Sequence, residues 1–266
     1  MNPYRIIKKH EAILLRIANI IAWLKLLFIG KKYKQHIIGN KEFKDKEKGK
    51  ACFIVMGGLS VKDINLDFVS RYDVITANHF FQTEDYLKIK PKYHVIVDRD
   101  FWTQKKNIED LEEKIKDFTT VFLNIRSSKK HDQENYRYIL PIYRVVNEFV
   151  SMDISKACAN FSTVTLTCIQ LAIYLGYKTI NLVGFDFPPG HFPHYYKESE
   201  DEKRGEILQK QMVDEYDYCS LYWQYTNSQH EAYKLSIFAK NNNIKIFNLS
   251  PISYVRAFAY KKFYES

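Results

Sequence analysis

Ser162-Thr163-Val164-Thr165-Leu166-Thr167-Cys168-Ile169-Gln170-Leu171-Ala172-Ile173-Tyr174-Leu175-Gly176-Tyr177-Lys178-Thr179-Ile180-Asn181-Leu182-Val183-Gly184-Phe185-Asp186-Phe187 is the stretch that decides the fold. Ser162 and Thr163 open an apolar pattern at helical spacing that runs through Leu166–Leu175. Gly176 stops it, as a glycine just past a helix end does. The run 179–183 is short, apolar and β-branched, which reads as a buried strand. Its end delivers Asp186 into a loop. In open α/β sheets, ligands sit outside the carboxyl ends of strands, so this carboxylate stands where chemistry is usually done. A solvated loop aspartate is the competing reading.

The same strand-to-loop unit recurs upstream. Cys52-Phe53-Ile54-Val55-Met56 is a continuous apolar run followed by Gly57-Gly58-Leu59-Ser60. Ser60 with Asp63 three residues on resembles a helix start with a capping partner. Further strands are expected at 73–77, ending at Asn78-His79, at 93–97, ending at Asp98-Arg99-Asp100, and at 120–123 and 244–247. A second helical pattern covers Glu231–Ala239, with His230 at its opening. Strands that alternate with helices predict an α/β, Rossmann-like, mostly parallel sheet with helices on both faces. Pro188, Pro189, Gly190 and Pro193 break the pattern, and the region of about 188–225 is long enough to form a lid insertion.

Bulk properties narrow the partners. The chain has 266 residues, 46% of them hydrophobic and 27% charged, which suits one substantial globular core. Its net charge of +9 favours an anionic partner: nucleic acid, anionic lipid or a phosphorylated substrate. No zinc-finger spacing or RNP-type aromatic motif accompanies that charge, which sets nucleic acid aside. Cys52, Cys158, Cys168 and Cys219 are scattered without a CxxC pair, and three of them fall in apolar patterns that read as core. No cleavable signal peptide is evident, so a reducing cytoplasm is the expected setting.

Residues 1–48 stand apart as a basic helical segment with a charged linker, ahead of a catalytic domain over 49–266. Ile13, Leu14, Ile17, Ile20, Ile21, Leu24, Leu27 and Phe28 recur at helical steps, with Trp23 among them. Arg5, Lys8, Lys9, Arg16, Lys25, Lys31, Lys32 and Lys34 supply positive charge. Arg16, Asn19 and Lys25 interrupt the apolar run too often for a membrane span. Two readings remain: an amphipathic helix lying on an anionic membrane surface, or a helix packed on the domain or on a second subunit in a homo-oligomer.

Three constellations carry chemistry. The glycine pair 57–58, set between a strand and a helix start, can bring backbone N–H groups against a phosphate, or can simply make a tight connection. Asp98 and Asp100 have the Asp-x-Asp spacing that completes an Mg²⁺ or Mn²⁺ site with a nucleotide diphosphate, or Arg99 pairs with a neighbour. Gly190-His191-Phe192-Pro193-His194-Tyr195-Tyr196 gathers two imidazoles for proton transfer and two phenols for a departing phosphate. The bland alternative is surface histidines with packed aromatics. Zinc is not expected, because neither a cysteine nor a third histidine joins the His-x-x-His pair.

Taken in order, these segments resemble the bacterial sialyltransferases of glycosyltransferase family 42 and the related domain family that includes archaeal 6-hydroxymethylpterin diphosphokinases. The resemblance runs from about Cys52 to Phe258. It rests on 53–60, on Val74-Ile75-Thr76-Ala77-Asn78-His79-Phe80, on 172–178 with 184–187, and on Ile244-Lys245-Ile246-Phe247-Asn248-Leu249-Ser250-Pro251. It implies a nucleotide-binding domain with a lid, in which Gly57, Gly58 and Asn78 contact a CMP-sugar and Thr163 opens the central helix. Ser60, Ser162 and Asp98 join them as donor-binding candidates. Where those sialyltransferases carry Gly-Asn-Gly-Pro-Ser, this chain has Met56-Gly57-Gly58-Leu59-Ser60. An expected Arg falls on Phe161, and the expected catalytic His falls near Thr226.

The function expected is therefore an inverting glycosyltransferase of bacterial surface polysaccharide or lipooligosaccharide biosynthesis. Its donor would be a nucleotide-activated sugar such as CMP-sialic acid or a related CMP-nonulosonate, and its acceptor a glycan or glycolipid. His194 or His191 would be the base, with Asp186, Tyr195 and Tyr196 completing the site. The protein would be cytoplasmic and peripheral on the inner face of the membrane. The alternatives are an ATP-dependent diphosphokinase acting on a pterin-like alcohol, with Asp98, Asp100 and Asp186 holding Mg²⁺, and a non-catalytic nucleotide-binding relative.

Overall fold

The computed structural model describes residues 3–98, 101, 113, 118–127, 133–145, 150–187 and 218–263. Among the described residues nine strands form one sheet: β1 Ala51–Val55, β2 Asp73–Ala77, β3 Tyr93–Ile96, β4 Thr120–Asn124, β5 Tyr136–Tyr143, β6 Ala157–Ala159, β7 Thr179–Val183, β8 Lys245–Asn248 and β9 Ala259–Tyr260. Their order is β6-β5-β4-β3-β2-β1-β7-β8-β9, and every pairing is parallel. All strands therefore point their carboxyl ends at the same edge.

Alternation along β1 shows how the sequence fills both faces. Cys52, Ile54 and Met56 join one buried cluster with the helices α5 (Val164–Leu175) and α6 (Tyr218–Asn241). Phe53 and Val55 join the other, with α3 (Leu66–Val69) and α4 (Glu84–Ile89). Side chains two residues apart share a face, so a run without a polar residue must be buried on both. The expected α/β sheet with helices on both faces is what forms. Cys52, Cys158 and Cys168 are free and fully buried in it, and burial pushes the Cys158 thiol up to about 12.

Chain order reverses at one place. From β1 the strands run outward through β2 to β6, and the chain then returns through α5 to lay β7 on the other side of β1. That reversal makes the carboxyl ends of β1 and β7 the topological switch point of the sheet, the place outside which open α/β sheets bind ligands.

Several expectations shift. Strands β5, β6 and β9 carry no simple sequence signal: β5 contains Pro141, with an irregular register between Pro141 and Tyr143, and the other two span only three and two residues. Helix α6 is far longer than the pattern Glu231–Ala239. It starts at Tyr218, inside the expected lid, and it places His230 in its interior rather than at its opening. The remaining lid residues, 188–217, lie outside the described residues, as do Asp100, His191, His194, Tyr195 and Tyr196.

The N-terminal segment forms α1 (Pro3–Leu27) and α2 (Lys31–Gly39). Beyond it, 41–50 packs along the amino-terminal edge of the sheet, with Phe43 and Glu47 buried and backbone bonds from Asp45, Glu47 and Gly49 to the end of α5. Glu47 accepts from Lys50 at 2.7 Å and from the Tyr93 hydroxyl at 2.7 Å, and it pairs with Lys92 at 2.8 Å. Burial alone would push its pKa up, yet these donors hold the carboxyl down at about 2.

Candidate functional site

Two loops meet at the reversal point, and glycine lets them meet. Met56 N–H donates to Val183 O at 2.9 Å and Gly58 N–H to Gly184 O at 3.0 Å. A Cβ on Gly58 would stand 2.4 Å from Gly184 O and 2.7 Å from Asp186 Oδ2. One on Gly184, whose φ is +70°, would stand 2.5 Å from Met56 O. No side chain fits either position without moving backbone.

Asp186 closes the junction. It is buried, with Oδ2 accepting from Ser60 N–H at 2.9 Å and Oδ1 accepting from the Ser60 hydroxyl. The 3₁₀ turn Leu59–Asp63 thus takes its terminal partner from a strand end 126 residues away, and not from Asp63 as the local pattern suggests. The next residue, Phe187, has φ +42° and stacks on Tyr225 of α6 at 5.5 Å and 8°. Phe185 O accepts from Asn248 Nδ2 at 3.2 Å and from Ser253 Oγ at 2.8 Å, which ties in the loop after β8.

This geometry revises the phosphate reading of the first loop. The N–H groups of Gly58 and Ser60 are taken up by Gly184 and Asp186, and the turn they open is five residues long. The helix whose start faces the same edge with more capacity is α5. Thr163 is its N-cap and makes no side-chain cap bond, and the first turn carries no acidic residue. Ser162, just before it, donates from N to Glu231 Oε2 at 2.7 Å and from Oγ to Oε1 at 3.1 Å. Burial pushes the Glu231 carboxyl up, against the pull of the Ser162 bonds and of Arg144. Glu231, on α6, therefore fixes where α5 begins.

Asn78 follows β2 with φ +49°, a left-handed conformation that asparagine tolerates better than most residues. It is held there by His94. The fully buried imidazole contacts Asn78 O through Nε2 at 3.0 Å and Thr76 Oγ1 through Nδ1 at 2.7 Å. A carbonyl can only accept, so Nε2 carries the proton and Nδ1 accepts from the threonine hydroxyl. Burial, with His79 adding like charge, pushes His94 down to about 3 against the bond to Asn78, so the ring is neutral at physiological pH.

Three buried polar atoms along this edge have no hydrogen-bond partner among the described residues: Asn78 Oδ1 after β2, Thr163 Oγ1 at the start of α5, and Ser250 Oγ after β8. Buried polar atoms are nearly always paired, so three orphans along one edge mark a place built to meet polar groups. Asp98 stands two residues past β3 on the same edge. No group of three or more His, Cys, Asp or Glu side chains is arranged for a metal among the described residues, and both oxygens of Asp186 are engaged with Ser60. Asp100 lies outside the described residues, so of the expected set Asp98, Asp100 and Asp186 only Asp98 and Asp186 have described positions, both along this edge.

Sequence reasoning brought Gly57, Gly58, Ser60, Asn78, Ser162, Thr163 and Asp186 to this edge, and the structure gathers all of them there. It missed Glu231, Asn248, Ser253 and the Thr76–His94 pair. His94 had a visible signal, since a histidine inside the apolar run 93–97 must find partners indoors. Glu231 had none.

No protein-family model matches the chain, and no curated protein matches it. Among solved structures it is similar to the sialyltransferase CstII from Campylobacter jejuni in complex with a substrate analogue, CMP-3FNeuAc. That likeness has 18% identity, covers 80% of this chain and 85% of that one, and has a TM-score of 0.47. The monofunctional alpha-2,3-sialyltransferase Cst-I from Campylobacter jejuni is similar at 17% identity, over 77% and 78% of the two chains, with a TM-score of 0.46. The MAf glycosyltransferase from Magnetospirillum magneticum is similar at 11% identity over 87% of this chain, but 38% of that one, with a TM-score of 0.48. Likenesses of this degree do not decide chemistry. The side chains along this edge must.

Proposed function

We propose that this chain is a glycosyltransferase that moves a sugar, a nonulosonate, from its CMP-activated form to a hydroxyl of a glycan or glycolipid acceptor. One observation carries the reading. Residues far apart in sequence, Gly57 and Gly58, Asn78, and Thr163, converge on the carboxyl edge beside the β1–β7 reversal, where buried polar atoms of Asn78, Thr163 and Ser250 face no partner among the described residues. The resemblance of the surrounding segments to sialyltransferases implies that Gly57, Gly58 and Asn78 contact the donor. CstII, to which the chain is similar, was solved with a CMP-sugar analogue, and we carry that donor class over as part of the proposal.

In this reading the donor phosphate lies at the start of α5, where the helix dipole favours negative charge and the Thr163 hydroxyl can donate to it. Asn78 contacts the nucleotide, oriented by His94. The acceptor oxygen attacks the anomeric carbon as the bond to phosphate breaks, and CMP departs with the electron pair. The acceptor proton passes to His194 or His191, with Tyr195 and Tyr196 around the leaving group. In-line attack inverts the anomeric configuration. Asp186 acts by holding Ser60 and the first loop, so it is a positioning residue here. The product belongs in a bacterial surface polysaccharide or lipooligosaccharide.

Thermal unfolding with CMP, CTP, UDP, GDP and ATP, each with and without Mg²⁺, tests this. A ligand that binds only the folded state raises Tm by mass action. Stabilisation by CMP without metal is expected. Stabilisation by ATP with Mg²⁺ alone would replace the proposal with diphosphate transfer. Binding of CMP without any turnover of a CMP-nonulosonate would leave a nucleotide-binding protein and no enzyme.

A further inference from the structure

Helix α1 wears its apolar surface on the outside. Ile13, Leu14, Ile17, Ile20, Ile21, Leu24 and Leu27 are each between 44% and 66% exposed. At 3.6 residues per turn they fall on one continuous arc. Leu15, Asn19 and Ala22 fall on the opposite side and are the more covered residues of the same turns. That opposite side is the one fixed to the domain: Asn19 Nδ2 donates to Arg144 O at 2.9 Å, and Arg144 N–H donates to Asn19 Oδ1 at 2.7 Å. A helix held by an asparagine while its widest apolar arc points away is arranged for something beyond the chain.

We infer that this arc is a docking surface for an anionic lipid bilayer, with α1 lying in the plane of the headgroups. Charge selects the occupant. The first 40 residues hold eight Lys and Arg against Glu11 alone, and Arg16, Lys31 and Lys34 are exposed among them. A second copy seated on the same arc would bring two such basic segments together, whereas an anionic surface attracts them. Trp23, about half exposed beside the arc, suits the boundary between acyl chains and headgroups. No helix among the described residues is long and apolar enough to cross a membrane, so the helix lies on the surface and does not span it.

The anchor point gives the docking a direction. Arg144 follows β5 directly, so Asn19 grips the carboxyl edge of the sheet, the edge that carries the candidate site. β5 lies three strands from β2, which is about 15 Å at the usual spacing between strands. A bilayer on the far side of α1 would meet an acceptor held at the lipid surface on the candidate-site side of the molecule. That last step rests on the transferase reading. The docking does not.

The test is co-sedimentation of the full chain with vesicles of phosphatidylglycerol and phosphatidylcholine in equal parts, and with phosphatidylcholine alone. The chain should pellet with the anionic vesicles at low salt. Binding should fall at least about tenfold on neutral vesicles or near 1 M salt, where screening shortens to about 3 Å. The variant I17S/I20S/L24S changes only exposed side chains and should keep the wild-type Tm while losing binding by at least about tenfold. Equal pelleting by wild type and variant would overturn the inference, as would no pelleting of the wild type at low salt. A wild-type dimer in sedimentation equilibrium that the variant abolishes, with no vesicle binding, would assign the arc to a second copy. No donor is present in these assays, so their failure and failure of the nucleotide tests remain distinguishable.

Discussion

Ser60 and Asp186 are bonded across 126 residues of sequence, and their coupling is measurable. Ser60→Ala leaves one carboxylate oxygen buried without its hydroxyl, and Asp186→Ala leaves the Ser60 N–H without an acceptor. Each should cost about 1–3 kcal/mol in urea unfolding. In a double-mutant cycle the two losses should fall short of additivity by about 0.5–3 kcal/mol. Strict additivity would mean the pair does not hold the two loops together. Gly184→Ala must place a Cβ 2.5 Å from Met56 O at a positive φ, and should destabilise by about 1–3 kcal/mol. Asp186 was legible as a strand-end carboxylate. Its partner was not, because the contact depends on β7 lying beside β1, and nothing local to either segment encodes that adjacency.

At the scale of elements, α5 depends on α6 for its starting point. Glu231→Ala removes the acceptor of Ser162 N–H and Oγ–H, and should lower stability by about 1–3 kcal/mol, read from urea unfolding midpoints. Thr163→Val is a cleaner probe. It keeps the shape but removes a buried hydroxyl that has no partner among the described residues, so Tm should hold or rise slightly while CMP affinity falls. A fall in Tm with unchanged CMP affinity would make that hydroxyl a structural group. The strands β1, β2, β3, β4 and β7 were readable because burial on both faces favours largely apolar runs, and β8, with Lys245 exposed, was readable from the apolar Ile244, Ile246 and Phe247 around it. β5 was hidden by Pro141 and by its polar residues, which a strand towards the rim of the sheet tolerates, and α6 by a first half rich in Tyr, Gln, Asn and Ser. The glycine pair was legible as a close approach, and what approaches Gly58 is the loop after β7.

Over the whole molecule, two buried groups set the acid side of the stability profile. His94 binds its proton at pH 6.5 when unfolded but only near 3 when folded. Between those values the unfolded chain holds more protons, so stability is complete above 6.5 and is lost as pH falls. The slope from this site is about 1.4 kcal/mol per pH unit. Glu47, held at about 2 against 4.5 when unfolded, adds a second loss as pH falls below 4.5. Urea midpoints should therefore decline from about pH 6.5 downward, and His94→Gln should flatten the decline between 6.5 and 4.5. An unchanged slope in that variant would mean His94 is not the group responsible.

In the proposed function the CMP end of a sugar donor binds at the carboxyl ends of β2, β1 and β7. Asn78→Gly tests it most directly, because glycine keeps the left-handed φ of +49° while removing only the side chain. Calorimetric titration of CMP into wild type and Asn78→Gly, without metal, should show binding to the wild type and a loss of about tenfold or more in the variant. Equal CMP affinity in the two proteins, or no CMP binding to a folded wild type, would contradict it.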